Sequence, residues 1–187
     1  SFCAGCGRSA LLVFTASATS AISANGVRGP ISRPAGAVAG DLLVAQVAFH
    51  THNFVGTITP PSGWTTIRVD NDTNHEIQGV FWKVVTASEP ATYTFTNTTG
   101  DTNKEGSGAI TAYRGVDTVT PIDAHAATTY PSGGTSIVAP SVVTTVPVRR
   151  PSEKKLTSNT ITTASVSTSM NSDTEARTAA GWSDTLA

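Results

Sequence analysis

A chain of 187 residues is long enough for one β-sandwich of ordinary size and short for two. Charged residues make up only 13% and hydrophobic residues 39%, with Thr, Val, Ser, Ala and Gly abundant, a composition that suits pleated surfaces and excludes a solvated helical protein. A net charge of −1, from 12 basic and 13 acidic residues, leaves no concentrated basic surface for nucleic acid.

The chain opens on Cys3 and Cys6 in CAGCGR. Gly7 stands where haem attachment would need His, and no second pair of ligands at finger spacing completes a zinc site. A local disulfide, an intersubunit link and free thiols all stay open for a short tail over residues 1–9. Ala10 to Phe14 (ALLVF) is far too short to span a bilayer and lacks the flanks of a signal peptide.

Leu11 to Phe14 reads as a first strand, followed by a Ser/Ala/Thr-rich stretch to the turn dipeptide Asn25-Gly26. Val27 to Arg33 reads as a second strand, ended by Pro34. Leu42 to Phe49 is a short apolar run bounded by turn residues, as a buried central strand should be. His50 and His52, two apart, could share a side, but no third metal ligand accompanies them, so they read as loop residues. A short strand is expected at Val55 to Thr59, then a PPSG turn and a strand from Trp64 to Val69.

The next segment, DNDTNHE, alternates Asp70, Asp72, Asn74 and Glu76 like the opening of a calcium loop. The EF-hand pattern fails, because His75 replaces the required Gly and Phe81 the closing Glu. A hairpin turn is the expectation, with weak calcium binding at Asp70, Asp72 and Asn74 as the lesser reading. Ile77 to Val85 is the clearest long strand. Tyr93 and Phe95 alternate with Thr92, Thr94 and Thr96, giving one aromatic and one hydroxylated face. Gly108 to Tyr113 follows, then a strand from Ser136 to Thr145 whose Pro140 implies an edge or a bulge. Beyond Pro147 the chain turns polar, with weaker strands at Ile161 to Val166 and Trp182 to Leu186 and a solvated basic cluster at Arg149, Arg150, Lys154 and Lys155.

Turn signals recurring at sandwich spacing predict an all-β protein: a single antiparallel, jelly-roll-like sandwich over residues 10–146, with polar extensions at 1–9 and 147–187. Enzyme chemistry is not expected. No GxSxG elbow is present, Ser107 in GSG marks a strand entry, and Asp101, Glu105, Asp117 and Asp123 lie in turns without forming a pair. No cofactor is implied. Trp64, Trp82, Tyr130 and Trp182 are the rings available to stack on sugars; Trp64 and Trp82 read as core, leaving Tyr130 as the exposed platform. Asn71 and Asn97 begin N-x-T sequons, which matter only in a glycosylating host.

The segments AGDLLVAQVAF, ITPPSGWTTI, VFWKVVTASEPATYTFT, ITAYRGVDTVTPIDA and IVAPSVVTT follow one another at sensible intervals. In this they resemble a β-sandwich domain of bacteriophage structural proteins (tail, fibre and capsid-surface components) and of bacterial secreted or surface proteins. The resemblance spans about Leu11 to Thr145 and implies a fold more firmly than a function. It implies a structural subunit of an extracellular or virion assembly, partnered by copies of itself or other structural subunits. Ala10, Leu11, Leu12, Val13 and Phe14, with the C-terminal segment, would be the interchain elements. A carbohydrate-binding adhesion module contacting surface glycans through Tyr130 is the alternative. Where the family continues with an apolar strand, this chain has VRRPSEKKL after Val146. Strand donation from a neighbouring subunit would fill such a gap; a shortened chain or a looser final strand is the other expectation.

Overall fold

The computed structural model describes residues 12–22, 28–51, 55–71, 76–98, 105–127 and 140–143. Among them lie eight strands and no helix: β1 (Val13–Ile22), β2 (Arg28–Ser32), β3 (Leu42–His50), β4 (Ile58–Thr59), β5 (Thr65–Asn71), β6 (Glu76–Val84), β7 (Thr92–Asn97) and β8 (Gly106–Arg114). A five-stranded sheet runs β1-β8-β3-β6-β5 and a three-stranded sheet β2-β7-β4. All neighbours are antiparallel. The all-β sandwich expected from the sequence is what forms. Only β5 and β6 are both consecutive and paired; the other connections pass between the sheets. This is the strand order of a jelly roll in which β5 has joined β6 instead of the β4 edge.

β3 owes its central place to its composition. Leu43, Ala45, Val47 and Phe49 face the smaller sheet, while Leu42 and Val44 are buried on the opposite face. A strand covered on both sides has no reason to alternate, so it reads as a continuous apolar run. The intersheet core adds Ile31 from β2, Ile58 from β4, Ile77 and Phe81 from β6, Tyr93 and Phe95 from β7, and Ile110 and Ala112 from β8. Burying each large side chain stabilises the fold by about 1.5–3 kcal/mol. The sheets come so close at β8 that a Cβ on Gly108 would collide with the Ile31 side chain.

Trp64 closes one end of this core as expected, stacked edge-on against Tyr93 (5.0 Å) and Phe95 (5.3 Å). The PPSG turn delivers it there. Gly63 takes φ 82°, and the Trp64 N–H donates to the Pro61 carbonyl at 3.3 Å. Such a left-handed backbone is open to Gly at little cost.

Three sequence expectations change. β1 runs on through the Ser/Ala/Thr stretch to Ile22 rather than ending at Phe14, because its inner face needs only small side chains such as Ala18 against the core. β4 shrinks to Ile58 and Thr59. Pro140 to Val143 do not form a strand, and the rest of that expected strand lies outside the described residues.

Candidate functional site

A sandwich must manage the unpaired backbone groups of its edge strands. The two sheets have four edges, β1 and β5 in the larger, β2 and β4 in the smaller. β2 carries Pro30, exposed, which cannot donate outward. β4 is only 2 residues long. β5 is broken by a register shift between Thr66 and Arg68, and it carries an ion pair from Arg68 to Asp70, with bonds of 2.6 and 2.5 Å. The bond to Asp70 raises the Arg68 pKa against the opposing effect of burial.

β1 differs. It extends over 10 residues, VFTASATSAI, without a charged side chain or a proline. One irregularity, between Phe14 and Ala16, interrupts its pairing with β8, and there the Thr15 hydroxyl donates to the Ala112 carbonyl at 3.0 Å. Val13 and Phe14 are 43% and 52% exposed, and Phe14 rests edge-on against Tyr113 at 6.1 Å. Among the described residues, no strand pairs with the outer side of β1. Leu12 is partly buried against a second apolar cluster on the outer face of the larger sheet.

That second cluster was not foreseen. Leu42, Val44, Val80, Tyr113 and Val116 are buried in it, with Ile67, Trp82, Val84 and Ile122 partly so. The segment after β8 crosses this face as a strap, its turn fixed by Asp117, which accepts from the Val119 N–H and the Thr120 hydroxyl at 2.9 Å each. Trp82, read as core from the apolar run around it, packs partly buried against this second cluster rather than between the sheets. Its neighbour Phe81 takes the intersheet position, and alternation turns Trp82 to the outer face.

Two polar networks hold the strand ends, and neither was singled out from the sequence. Arg114 pairs with Asp41 across β8 and β3, with both bonds at 2.8 Å. Burial works to raise the Asp41 pKa, but the bonds from Arg114 and the Val38 N–H, with the Arg114 charge, bring it below the ordinary value. The Glu89 side chain is 2% exposed and accepts from the Thr86 N–H (2.8 Å), the Thr86 hydroxyl (2.8 Å) and the Tyr93 hydroxyl (2.9 Å), with Lys83 Nζ at 3.3 Å. Burial again opposes, yet these bonds lower the Glu89 pKa. The available signal was an acid placed directly before an apolar run or before a proline.

No family model matches the chain, and no curated protein matches it. Among solved structures it is similar to a chain in the tripod (BppUct-A-L) from the baseplate of bacteriophage Tuc2009, at 17% identity and a TM-score of 0.33. The likeness covers 53% of this chain and 64% of that one, less than two thirds of the baseplate chain's length.

Cys3, Cys6, Ala10, Leu11 and Tyr130 lie outside the described residues, as do His52, Asp72 and Asn74. Asp70 points its carboxylate at Arg68. No three His, Cys, Asp or Glu side chains gather to hold a metal among the described residues. Asn97, the start of one sequon, is 1% exposed at the end of β7, so the folded chain does not offer it for glycosylation. No helix among the described residues is long and apolar enough to cross a membrane.

Proposed function

We propose that this chain is a non-enzymatic structural subunit of an extracellular assembly: a virion surface, fibre or decoration component, or a cell-surface filament. It associates through the outer side of β1, with copies of itself or with other structural subunits. The observation that carries the reading is the contrast between the edges. β2 carries a proline, β4 is 2 residues long and β5 carries charges, whereas β1, bulged once between Phe14 and Ala16, runs on uncharged to Ile22 with Val13 and Phe14 exposed and, among the described residues, no strand on its outer side. An added strand would satisfy its backbone groups in the β-augmentation mode.

Sedimentation of the full chain against a Ser17→Lys/Thr19→Lys variant tests it. Both positions are exposed on β1, and lysines on an edge oppose strand addition. The expected result is an oligomer or polymer for the parent and a 19.2 kDa monomer for the variant, with unchanged melting temperature. A parent that stays monomeric at high micromolar concentration, or a variant that assembles as the parent does, overturns the reading.

A further inference from the structure

β1 meets β8 in two parts, divided by the irregularity between Phe14 and Ala16. From Ala16 to Ile22 the register is continuous, opposite Ala112 to Gly106. A bulge bends the strand that carries it and interrupts regular pairing. The seven residues from Ala16 to Ile22 are therefore the stretch that a further strand can follow. Ala18 packs against the intersheet core, with Ala16 and Ser20 partly buried on the same face. Ser17, Thr19 and Ala21 are exposed on the opposite one.

A strand that pairs with this edge must itself present an open edge to it. Head-to-tail growth would set β1 of one copy against a different edge of the next. Among the described residues each of those edges carries an obstacle: Pro30 on β2, the 2-residue length of β4, and Arg68 and Asp70 on the irregular β5. Pairing of β1 with β1 meets none of them. Charge points the same way. A strand that meets its own copy also meets its own charges, and like charges placed opposite each other are destabilising. β1 has no charged side chain to oppose the approach.

We propose that the partner of β1 is β1 of a second copy, and that the association closes at a dimer. The inference rests on the reading above that β1 is the association edge, and it adds the partner and the geometry. Two identical edges meeting across a two-fold axis run antiparallel and present the same residues to each other. The register that uses the whole regular stretch sets Ala16 against the second copy's Ile22, Ser17 against its Ala21 and Ala18 against its Ser20. Thr19 then lies on the axis, opposite itself, and Thr–Thr pairs are among the favourable cross-strand contacts. The two five-stranded sheets become one sheet, with both smaller sheets on the same side of it. Seven residues a side fall well short of the roughly 20–30 of a standard interface, so the dimer is weak and dissociates on dilution. A larger assembly built from it needs a second contact of another kind.

Spin labels on Ser17→Cys, Thr19→Cys and Ala21→Cys, each made singly in the full chain with Cys3→Ser and Cys6→Ser, test the geometry by EPR at high micromolar concentration. All three positions stand off the exposed face, so a label there does not enter the paired backbone. Dipolar broadening should be strongest at position 19, where the two Cα atoms lie about 5 Å apart. It should be much weaker at 17 and 21, where an offset of four residues separates them by about 14 Å. Sedimentation of the parent should show a species of twice the 19.2 kDa chain mass and nothing larger through this edge. Two results overturn the proposal and leave β1 as the association edge: broadening not centred on Thr19, and growth past the dimer, each in an assembly that Ser17→Lys/Thr19→Lys dissolves. A parent that stays monomeric overturns this proposal together with the reading it rests on.

Discussion

Arg114 and Asp41, 73 residues apart, meet as a two-pronged ion pair: Nε and an Nη of the guanidinium each donate to one carboxylate oxygen at 2.8 Å. Asp41 is 2% exposed and Arg114 49%, so the pair is buried from the acid's side only. The same carboxylate accepts from the Val38 N–H at 2.9 Å, and the Asp41 carbonyl accepts from the Val85 N–H at 2.8 Å. One residue thus ties the turn before β3 to the ends of β6 and β8.

Asp41→Ala should therefore cost about 2–3 kcal/mol, since it strands the Val38 N–H and removes charge-assisted bonds. Arg114→Leu should cost less, because half of the guanidinium already meets water while the acid keeps its backbone donor. Urea unfolding of both single variants and the double variant measures the coupling. Equal losses from the two single substitutions would show that the exposed partner matters as much as the buried one, against this account.

How much of this was legible in the sequence follows from the length scale of each feature. β3 was legible because its burial on both faces writes itself as an apolar run interrupted only by Gln46, LLVAQVAF. β7 was legible from the Tyr93/Phe95 alternation. Of β1 only the start at Val13 and Phe14 was legible, because an edge strand packing small residues inward has no apolar rhythm to display, and TASATSAI looks like a loop. Trp82 does pack against apolar neighbours as an aromatic inside a strand suggests, but the parity of its position assigns it to the outer-face cluster. That cluster joins β3, β6 and the strap after β8, and the ion pair spans 73 residues. No local spacing encodes either.

Acid sensitivity follows from the two lowered carboxylates. Asp41 and Glu89 both titrate below their ordinary values of 3.8 and 4.5 in the folded chain. In the window between folded and unfolded values the unfolded chain binds more protons, so stability rises with pH there. Their contribution is present above the unfolded values and lost as pH falls through the folded ones. Urea midpoints should be flat from neutral pH to about 5 and fall below about 4.5. Asp41→Asn should flatten that fall, and an undiminished slope in this variant would remove Asp41 from the explanation.

At the alkaline end, Tyr93 is the residue to follow. Burial, then the hydrogen bond to Glu89 and the Glu89 charge, push its phenol far above the ordinary 10.0. A raised phenol pKa favours the fold below the unfolded value, and that contribution disappears as pH climbs past it. Absorbance titration should show Tyr93 resisting ionisation until the sandwich unfolds. Glu89→Gln should bring the transition to lower pH by removing the charge. It should also cost about 1–3 kcal/mol, because Lys83 loses its partner and the Thr86 N–H a charged acceptor. Ionisation of all tyrosines near 10 in the intact fold would contradict the network.

Trp64 tests the core itself. Its ring contacts Tyr93 and Phe95 edge-on, and its indole Nε1 is buried with no acceptor among the described residues. Trp64→Ala removes the largest side chain of the cluster and should cost about 3–5 kcal/mol through lost burial and the cavity left behind. Trp64→Phe keeps an aromatic ring against the same partners and deletes the unpaired donor, whose burial carries a penalty of about 1–3 kcal/mol. That gain offsets part of the lost volume, so the Phe variant should lie within about 1.5 kcal/mol of the parent. Thermal and urea unfolding of the two variants give the comparison. A Phe variant as unstable as the Ala variant would mean that the indole N–H does have a partner and that volume alone does not set the cost.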